Sequence, residues 1–249
     1  MSFLKHTLML FFVVTSLYAQ DTSKTLIIGV DPFSPPFVNQ GGSKELYGYD
    51  ISMMNSLCKI MNRQCTFQAM QWANLFPSIM NNQIDLAASS ITITPNRVKL
   101  IAFSIPYGLS YSRLLTTSDM ATPVPFSIDA LRGKKIGVEQ GTIYQDDASQ
   151  MGIKDPVIVP FANDDDSLAA LSNKKIDYVL LDNPTALYWA ANSSGAFKVV
   201  GKPQAFGFGI GIAVSPANIQ MLPALNNAIT QYLNSKEYQI NYNRFLEEF

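Results

Sequence analysis

Short runs of β-branched and apolar residues alternate with longer stretches of helical period along most of this chain, and that alternation restricts the fold more than any other feature. The run Leu26–Val30 predicts a strand and Tyr49–Met61 a helix. Further strands are expected at Thr66–Met70, Asp85–Ala88, Lys135–Val138, Val157–Pro160 and Tyr178–Leu181, with helices at Ala73–Asn81, Thr142–Met151, Asp164–Asn173 and Pro184–Ser193. Such an order favours an α/β architecture with parallel strands connected by helices. The pattern restarts at Leu131-Arg132-Gly133-Lys134-Lys135, after the Pro-rich stretch Pro123–Pro125, so a second parallel sheet is expected to begin there. Ser112–Thr117 and Gly207–Val214 read as extended crossings between two halves, and Ala217–Leu233 and Tyr238–Phe249 as closing helices. Glycines at 207, 209 and 211 suit either tight strand packing or hinge rotation.

Lys5 and His6 precede an apolar run from Leu8 to Val14, and Leu17-Tyr18-Ala19 ends on a small residue, the pattern of a secretory signal peptide over residues 1–19 cleaved near Ala19. The run is shorter than the roughly 20 residues a membrane span needs. Export to the periplasm is therefore expected. Cleavage would remove His6, the only histidine, and with it any His-based zinc site or Ser-His-Asp triad. In an oxidising compartment Cys58 and Cys65 are expected to pair as a short staple worth ~2–3 kcal/mol, the alternative being two free buried thiols.

A chain of 249 residues with 47% hydrophobic and 15% charged side chains can bury one large core or two ordinary ones. Its formal charge of -1 supplies no basic field for nucleic acid or an anionic membrane. Asp164-Asp165-Asp166 looks like a calcium run but lacks the downstream bidentate acid, so it reads as a solvated helix N-terminus. Asp146-Asp147 likewise reads as helix surface. No metal or cofactor site is expected.

The segment Asp85 to Arg97, D-L-A-A-S-S-I-T-I-T-P-N-R, carries the strongest chemistry. Ser89, Ser90 and Thr92 can offer hydroxyl and backbone N–H donors from a strand end, and Arg97 can swing a planar fork onto the same small carboxylate. From the residues alone, Arg97 serves equally as an anion fork or as a surface arginine at the helix start that Thr94-Pro95-Asn96 signals.

Five features fall in order along the chain: the strand ending in Asp31-Pro32, G-Y-D-I from Gly48, L-C-K-I-M-N-R-Q-C around Cys58 and Cys65, S-S-I-T-I-T-P-N-R, and Gly-Val-Glu-Gln-Gly-Thr after Lys135-Ile136. Together they resemble the periplasmic polar amino acid-binding proteins of ABC importers, solute-binding protein family 3, in particular the lysine/arginine/ornithine and histidine binders. The resemblance runs from about Thr25 to Phe249. It implies a type II periplasmic binding protein fold, two α/β lobes joined by two hinge strands, with residues 22–111 and 212–249 in one lobe and 112–211 in the other. It further implies a monomer that closes on an amino acid in the cleft and delivers it to the membrane subunits of an ABC permease.

On the family pattern Arg97 matches the arginine that forks onto the ligand α-carboxylate, helped by Ser90, Thr92 and the amide of Thr142. Asp182 matches the acid that takes the α-ammonium. Asp31 matches the acid facing a cationic head group, and Trp72 the ring under the ligand side chain, where an indole stacks on a guanidinium for ~0.5–2 kcal/mol. Read from the residues alone, Thr142 and Asp182 are equally N-caps and Trp72 a core or rim aromatic. Departures from the pattern are Ser34 in place of a tyrosine, with Phe33 or Phe37 as substitute rings, and Ile143 and Tyr144 in place of small and amide residues. Glu139 replaces an apolar residue and either faces the ligand or points to solvent. The resemblance implies capture of arginine first, then lysine, ornithine and histidine. An enzyme like the cyclohexadienyl dehydratases, with Glu139 as general acid, and a ligand sensor on the same fold are the alternatives.

Overall fold

Leu26–Val30 (β1) has apolar side chains to bury on both faces, and in the computed structural model, which describes residues 24–121 and 126–247, it lies inside a sheet. The expected leader and the Pro123–Pro125 stretch fall outside those residues. After β1, Phe33–Ser34 (β2), Val38–Gln40 (β3) and Leu46–Tyr47 (β4) make a small antiparallel sheet. Gly48 then opens helix α1 (Tyr49–Ile60) at φ 134°, where a Cβ would stand 2.3 Å from the Phe37 carbonyl oxygen, so only glycine fits. Strand β5 (Cys65–Ala69) returns parallel to β1, and the Cys58–Cys65 disulfide ties α1 to it across 6.3 Å between Cα atoms.

Helix α2 (Trp72–Met80), strand β6 (Leu86–Ala87), the single turn α3 (Pro95–Val98) and strand β7 (Ala102–Phe103) follow. The chain then builds a second unit from β8 (Tyr111–Thr117), β9 (Lys135–Glu139), α4 (Tyr144–Gln150), β10 (Val157–Phe161), α5 (Asp164–Ser172), β11 (Tyr178–Asp182), α6 (Asn183–Asn192) and β12 (Phe197–Ala205). Strand β13 (Ala213–Val214) returns to the first sheet, and helices α7 (Leu222–Leu233) and α8 (Lys236–Tyr242) pack on α1.

The strand orders are β5-β1-β6-β13-β7 and β10-β9-β11-β8-β12, which gives two lobes, each an α/β sheet. Ile28, Val30 and Leu86 of the first sheet meet Met53, Met54 and Leu57 of α1 and Leu225 and Ile229 of α7. Full burial of a side chain such as Leu57 contributes roughly 1.5–3 kcal/mol. The second sheet buries Leu114, Ile136 and Leu180 on one face, and Leu115, Val179 and Leu181 on the other. Among the described residues no helix is long and apolar enough to cross a membrane.

Several elements depart from the sequence expectations. Ser112–Thr117 lies within β8, a central strand between β11 and β12, because Leu114 and Leu115 point to opposite faces and both find a core. The passage between the sheets comes just before it, where the Tyr107 N–H donates to the Ile210 carbonyl at 2.9 Å and the Phe206 N–H to the Ser110 carbonyl at 3.2 Å. Strand β12, like the short strands β2, β3, β4 and β7, has no counterpart in the sequence reading. Its alternation is broken by Gly201 and Pro203, and the ladder shifts register between Val200 and Gln204 to accommodate them. The closing helices are also interrupted: Pro216–Met221 is a 3-10 turn ahead of α7, and α8 gives way to a π turn at Asn243–Glu247.

Candidate functional site

Parallel strands deliver their C-terminal ends to one edge of a sheet, where the following turns expose backbone amides and polar side chains. Here β1 ends before Asp31, β6 before Ser89 and Ser90, β9 on Glu139 and β11 on Asp182. The two edges face each other, because the Ser90 hydroxyl of the first lobe donates to the Asp182 carboxylate of the second.

Ser90 reaches that acid from an unusual backbone conformation, φ 43°. Asp50 of α1 holds it there: one carboxylate oxygen accepts the Ser90 N–H at 2.7 Å, and both accept the Tyr107 hydroxyl at 2.9 Å. Asp182 occupies the N-cap position of α6, yet its side chain makes no capping bond. Its carboxylate turns instead toward Ser90, with the Tyr144 phenol beside it. Burial pushes Asp182 up to about 6, and the Ser90 and Tyr144 hydroxyls and Arg97 oppose that rise.

Arg97 meets both of its sequence readings at once. Its backbone N–H is capped by Thr94 Oγ1 at 3.2 Å, while its guanidinium extends into the cleft. Nη1 donates to the Thr92 carbonyl at 2.9 Å and Nη2 to the Gly141 carbonyl of the other lobe at 3.4 Å. The guanidinium lies over Phe76, 4.7 Å from its centroid, and near Trp72 at 5.4 Å. No carboxylate of the described residues forms a salt bridge with it, so its direct contacts are rings and carbonyls, with Asp182 and Asp146 acting on it only at longer range.

Other expected site residues take different positions. Ser89 is fully buried behind the edge, its hydroxyl accepting the Asp31 N–H at 3.0 Å and donating to the Asp31 carbonyl at 3.3 Å, so it braces a strand end and does not line the cleft. The Thr92 hydroxyl shares a hydrogen bond with Ser110 at 2.8 Å and contributes its carbonyl, not its hydroxyl, to Arg97. Helix α4 starts at Tyr144, two residues later than expected, and the Thr142 amide folds back onto the Glu139 carbonyl at 3.3 Å. Thr142 Oγ1 donates to that same carbonyl at 2.7 Å, which closes a tight turn. Trp72 lines the cleft, but the guanidinium it meets is the protein's own Arg97. Phe37 sits in the core edge-to-face with Tyr49 and supplies no ring to the cleft.

The acids gather most densely. Glu139 is 4% exposed and lines the cleft, so the solvent-facing alternative is excluded. Burial first, then Asp164, Asp31 and Asp182, pushes its carboxyl up to about 10. Asp31 is wholly buried at the end of β1, accepts the Phe33 N–H at 3.3 Å on one oxygen and is pushed up to about 7 by that burial. Asp164 corrects the reading of a solvated helix N-terminus. It is 5% exposed and lines the same cleft, whereas Asp165 and Asp166 are exposed as expected. Asp147 also departs from the surface reading: the 144, 147 and 148 face of α4 turns onto the sheet, and only Asp146 stays in solvent.

Together Ser34, Trp72, Ser90, Thr92, Arg97, Glu139, Thr142, Ile143, Tyr144, Asp164 and Asp182 line a narrow cleft with a cavity of only about 20 Å³. The lobes are thus nearly shut on each other. One wall carries a guanidinium with spare donors, and the opposite walls carry carboxyls. Sequence reasoning missed Asp164, Asp50, Tyr144 as a cleft hydroxyl, and Phe76. Asp164 had one available signal: it follows β10 closely, as Asp182 closes β11.

The family described as bacterial extracellular solute-binding proteins, family 3, matches residues 26–248. ABC transporter arginine-binding protein 1 of Escherichia coli K12 is 31% identical over 227 residues, covering 89% of this chain and 90% of that protein. The arginine-binding periplasmic protein of Mannheimia haemolytica is 30% identical over 248 residues, covering 98% and 99%. Among solved structures, an arginine 3rd transport system periplasmic binding protein from Legionella pneumophila superposes with a TM-score of 0.83 at 32% identity, over 90% of this chain and all of that one.

Proposed function

The chain belongs to the bacterial extracellular solute-binding proteins of family 3, and on that footing we propose that it captures a cationic L-amino acid, arginine first, for an ABC importer. The observation that carries the reading is the division of charge in one narrow cleft, with Arg97 on one wall and Glu139, Asp164 and Asp182 on the others. A planar fork suits an α-carboxylate, and a buried acid beside it suits an α-ammonium. Surplus carboxyls beyond that pair have use only for a second positive charge on the ligand.

The rest of the reading follows the family. Residues 1–19 are cleaved near Ala19, and the mature protein works in the periplasm as a monomer that docks closed on the permease. Residues 22–111 and 212–249 move as one lobe and 112–211 as the other. Arg97 and Ser90 receive the carboxylate end, with Thr92 holding Arg97 and Thr142 closing the turn beside them, Asp182 takes the ammonium, and Asp31, Trp72 and Glu139 the side chain. Ser89 contributes through the strand end it braces. The ligand touches both lobes and so stabilises the closed form relative to the open one. No bond is made or broken.

Calorimetry on mature protein, unfolded and refolded to strip carried-over ligand, tests this with arginine, lysine, ornithine, histidine, glutamine and glutamate. Submicromolar arginine binding, weak glutamate binding and a loss of about 100-fold or more for every ligand in Arg97→Ala are expected. Silence toward all six with turnover of prephenate would replace the reading with the dehydratase-like one.

A further inference from the structure

Three carboxyl oxygens in and beside the cleft have no hydrogen-bond partner: Oδ2 of Asp31, Oε1 of Glu139 and Oδ1 of Asp164. They come from three different elements, the end of β1 in the first lobe and, in the second, the end of β9 and the first turn of α5. Helix α5 packs against both β9 and β2, which brings Asp164 to the wall it shares with Glu139 and Ser34.

Asp164 has no structural duty that would explain its burial. The N-cap of α5 is Asn163, whose Oδ1 accepts the Asp166 N–H at 2.8 Å. A carboxylate placed only to favour the helix dipole belongs in solvent, where Asp165 and Asp166 are. Burying an acid without a donor is costly, and the side chain answers by rising well above the usual carboxylate range, through burial first and then through Asp31 and Asp182. A cationic partner in the cleft would remove that cost.

We propose that Asp164 is a specificity-determining residue for the ligand's distal cation, and that with Glu139 it grips a guanidinium in preference to an ammonium. This rests on the amino acid-binding reading above and names the head group that the site selects. A guanidinium presents five N–H donors in one rigid plane and can serve separated carboxyls together. An ammonium concentrates three donors at one strongly hydrated point. Oxygens spread over the ends of three elements suit the plane better than the point.

The test is calorimetry of the mature protein with arginine, lysine and citrulline, the last matching arginine in shape without its charge. Asp164→Asn should weaken arginine at least about tenfold and lysine less, and leave citrulline within about threefold. Asp165→Asn makes the same charge change on the exposed neighbour and should leave all three within about threefold. Should Asp164→Asn not fold, Asp164→Ser carries the same comparison. Parallel changes for arginine and citrulline, or no change in either, would overturn the assignment while the capture of amino acids stood. Failure of the unaltered protein to bind any cationic amino acid would overturn both.

Discussion

Asp50→Ala would remove the support under Ser90. In the native protein the two Asp50 oxygens satisfy the Ser90 N–H at 2.7 Å and the Tyr107 hydroxyl at 2.9 Å, and all three residues are buried. Alanine leaves two buried donors without acceptors, at about 1–3 kcal/mol each. It also releases Ser90 from a left-handed conformation that costs a non-glycine residue roughly 1–2 kcal/mol. Part of the loss returns, because burial of the carboxylate is itself unfavourable, as its rise to about 7 shows. A net destabilisation of about 2–4 kcal/mol is expected from denaturant unfolding of ligand-free protein. Tyr107→Phe removes a donor and its need together and should cost about 1 kcal/mol. In the Tyr107→Phe background the Asp50→Ala cost should shrink by about 1 kcal/mol or more, since one orphan has gone. Calorimetry should show weaker arginine binding in Asp50→Ala, because the Ser90 hydroxyl no longer aims at Asp182. Stability within about 0.5 kcal/mol of native, or strictly additive effects in the double variant, would refute the bracing role.

Asp31→Asn should weaken arginine and lysine at least about tenfold while sparing glutamine, and equal losses for arginine and glutamine in calorimetry would make Asp31 a purely structural acid. The pH dependence has a fixed sign. Glu139 and Asp31 hold protons to about 10 and about 7 in the folded ligand-free state, above their ordinary values, so their contribution is present at low pH and is lost as pH rises. Melting temperature without ligand should therefore fall between about pH 5 and pH 8, and the stabilisation by arginine should grow over the same interval as its cation lets the acids ionise. Glu139→Gln should flatten both slopes, and identical profiles for the variant and the native protein would count against this account.

The α/β class, the second sheet and the longer strands and helices ahead of β12 were legible because each carries its own local period, whereas β2, β3, β4 and β7, two or three residues each, are too short to show one. The run V-L-L in β11 and the turn at Leu131–Lys135 needed no tertiary information. Strand β12 was illegible because its bulge rests on pairing with β8, which sequence periodicity does not report. The glycine-rich crossing was half legible. Gly207 and Gly209 have φ 65° and 92°, and a Cβ at either would stand 2.5–2.6 Å from a carbonyl oxygen, so tight backbone approach accounts for them without any hinge. At the site, Arg97 and Asp182 could be located but not resolved between two roles, since a cap position and a cleft position coincide at a strand-to-helix turn. Only side-chain direction separates them, and for Asp182 it is set by Ser90 arriving from 92 residues away.

The acids show where a sequence reading stops. Asp146 and Asp147 are neighbours, as are Asp164 and Asp165, yet one member of each pair is solvated and the other buried. A helix turns each successive residue by about 100°, so adjacent carboxylates cannot share an environment once one face is packed. Treating D-D or D-D-D as a unit therefore averages two unlike groups. Buried acids in turn differ by what they meet: Asp50 meets two donors and becomes a brace, whereas Asp147, Asp164 and Glu139 each keep an oxygen with no partner. Of these, Glu139 and Asp164 line the cleft, where Arg97 lies over Phe76 with no salt bridge to either acid. On the proposed function the positive group comes with the ligand, and the unpaired oxygens of Glu139 and Asp164 then point to its head-group charge more directly than any motif in the chain.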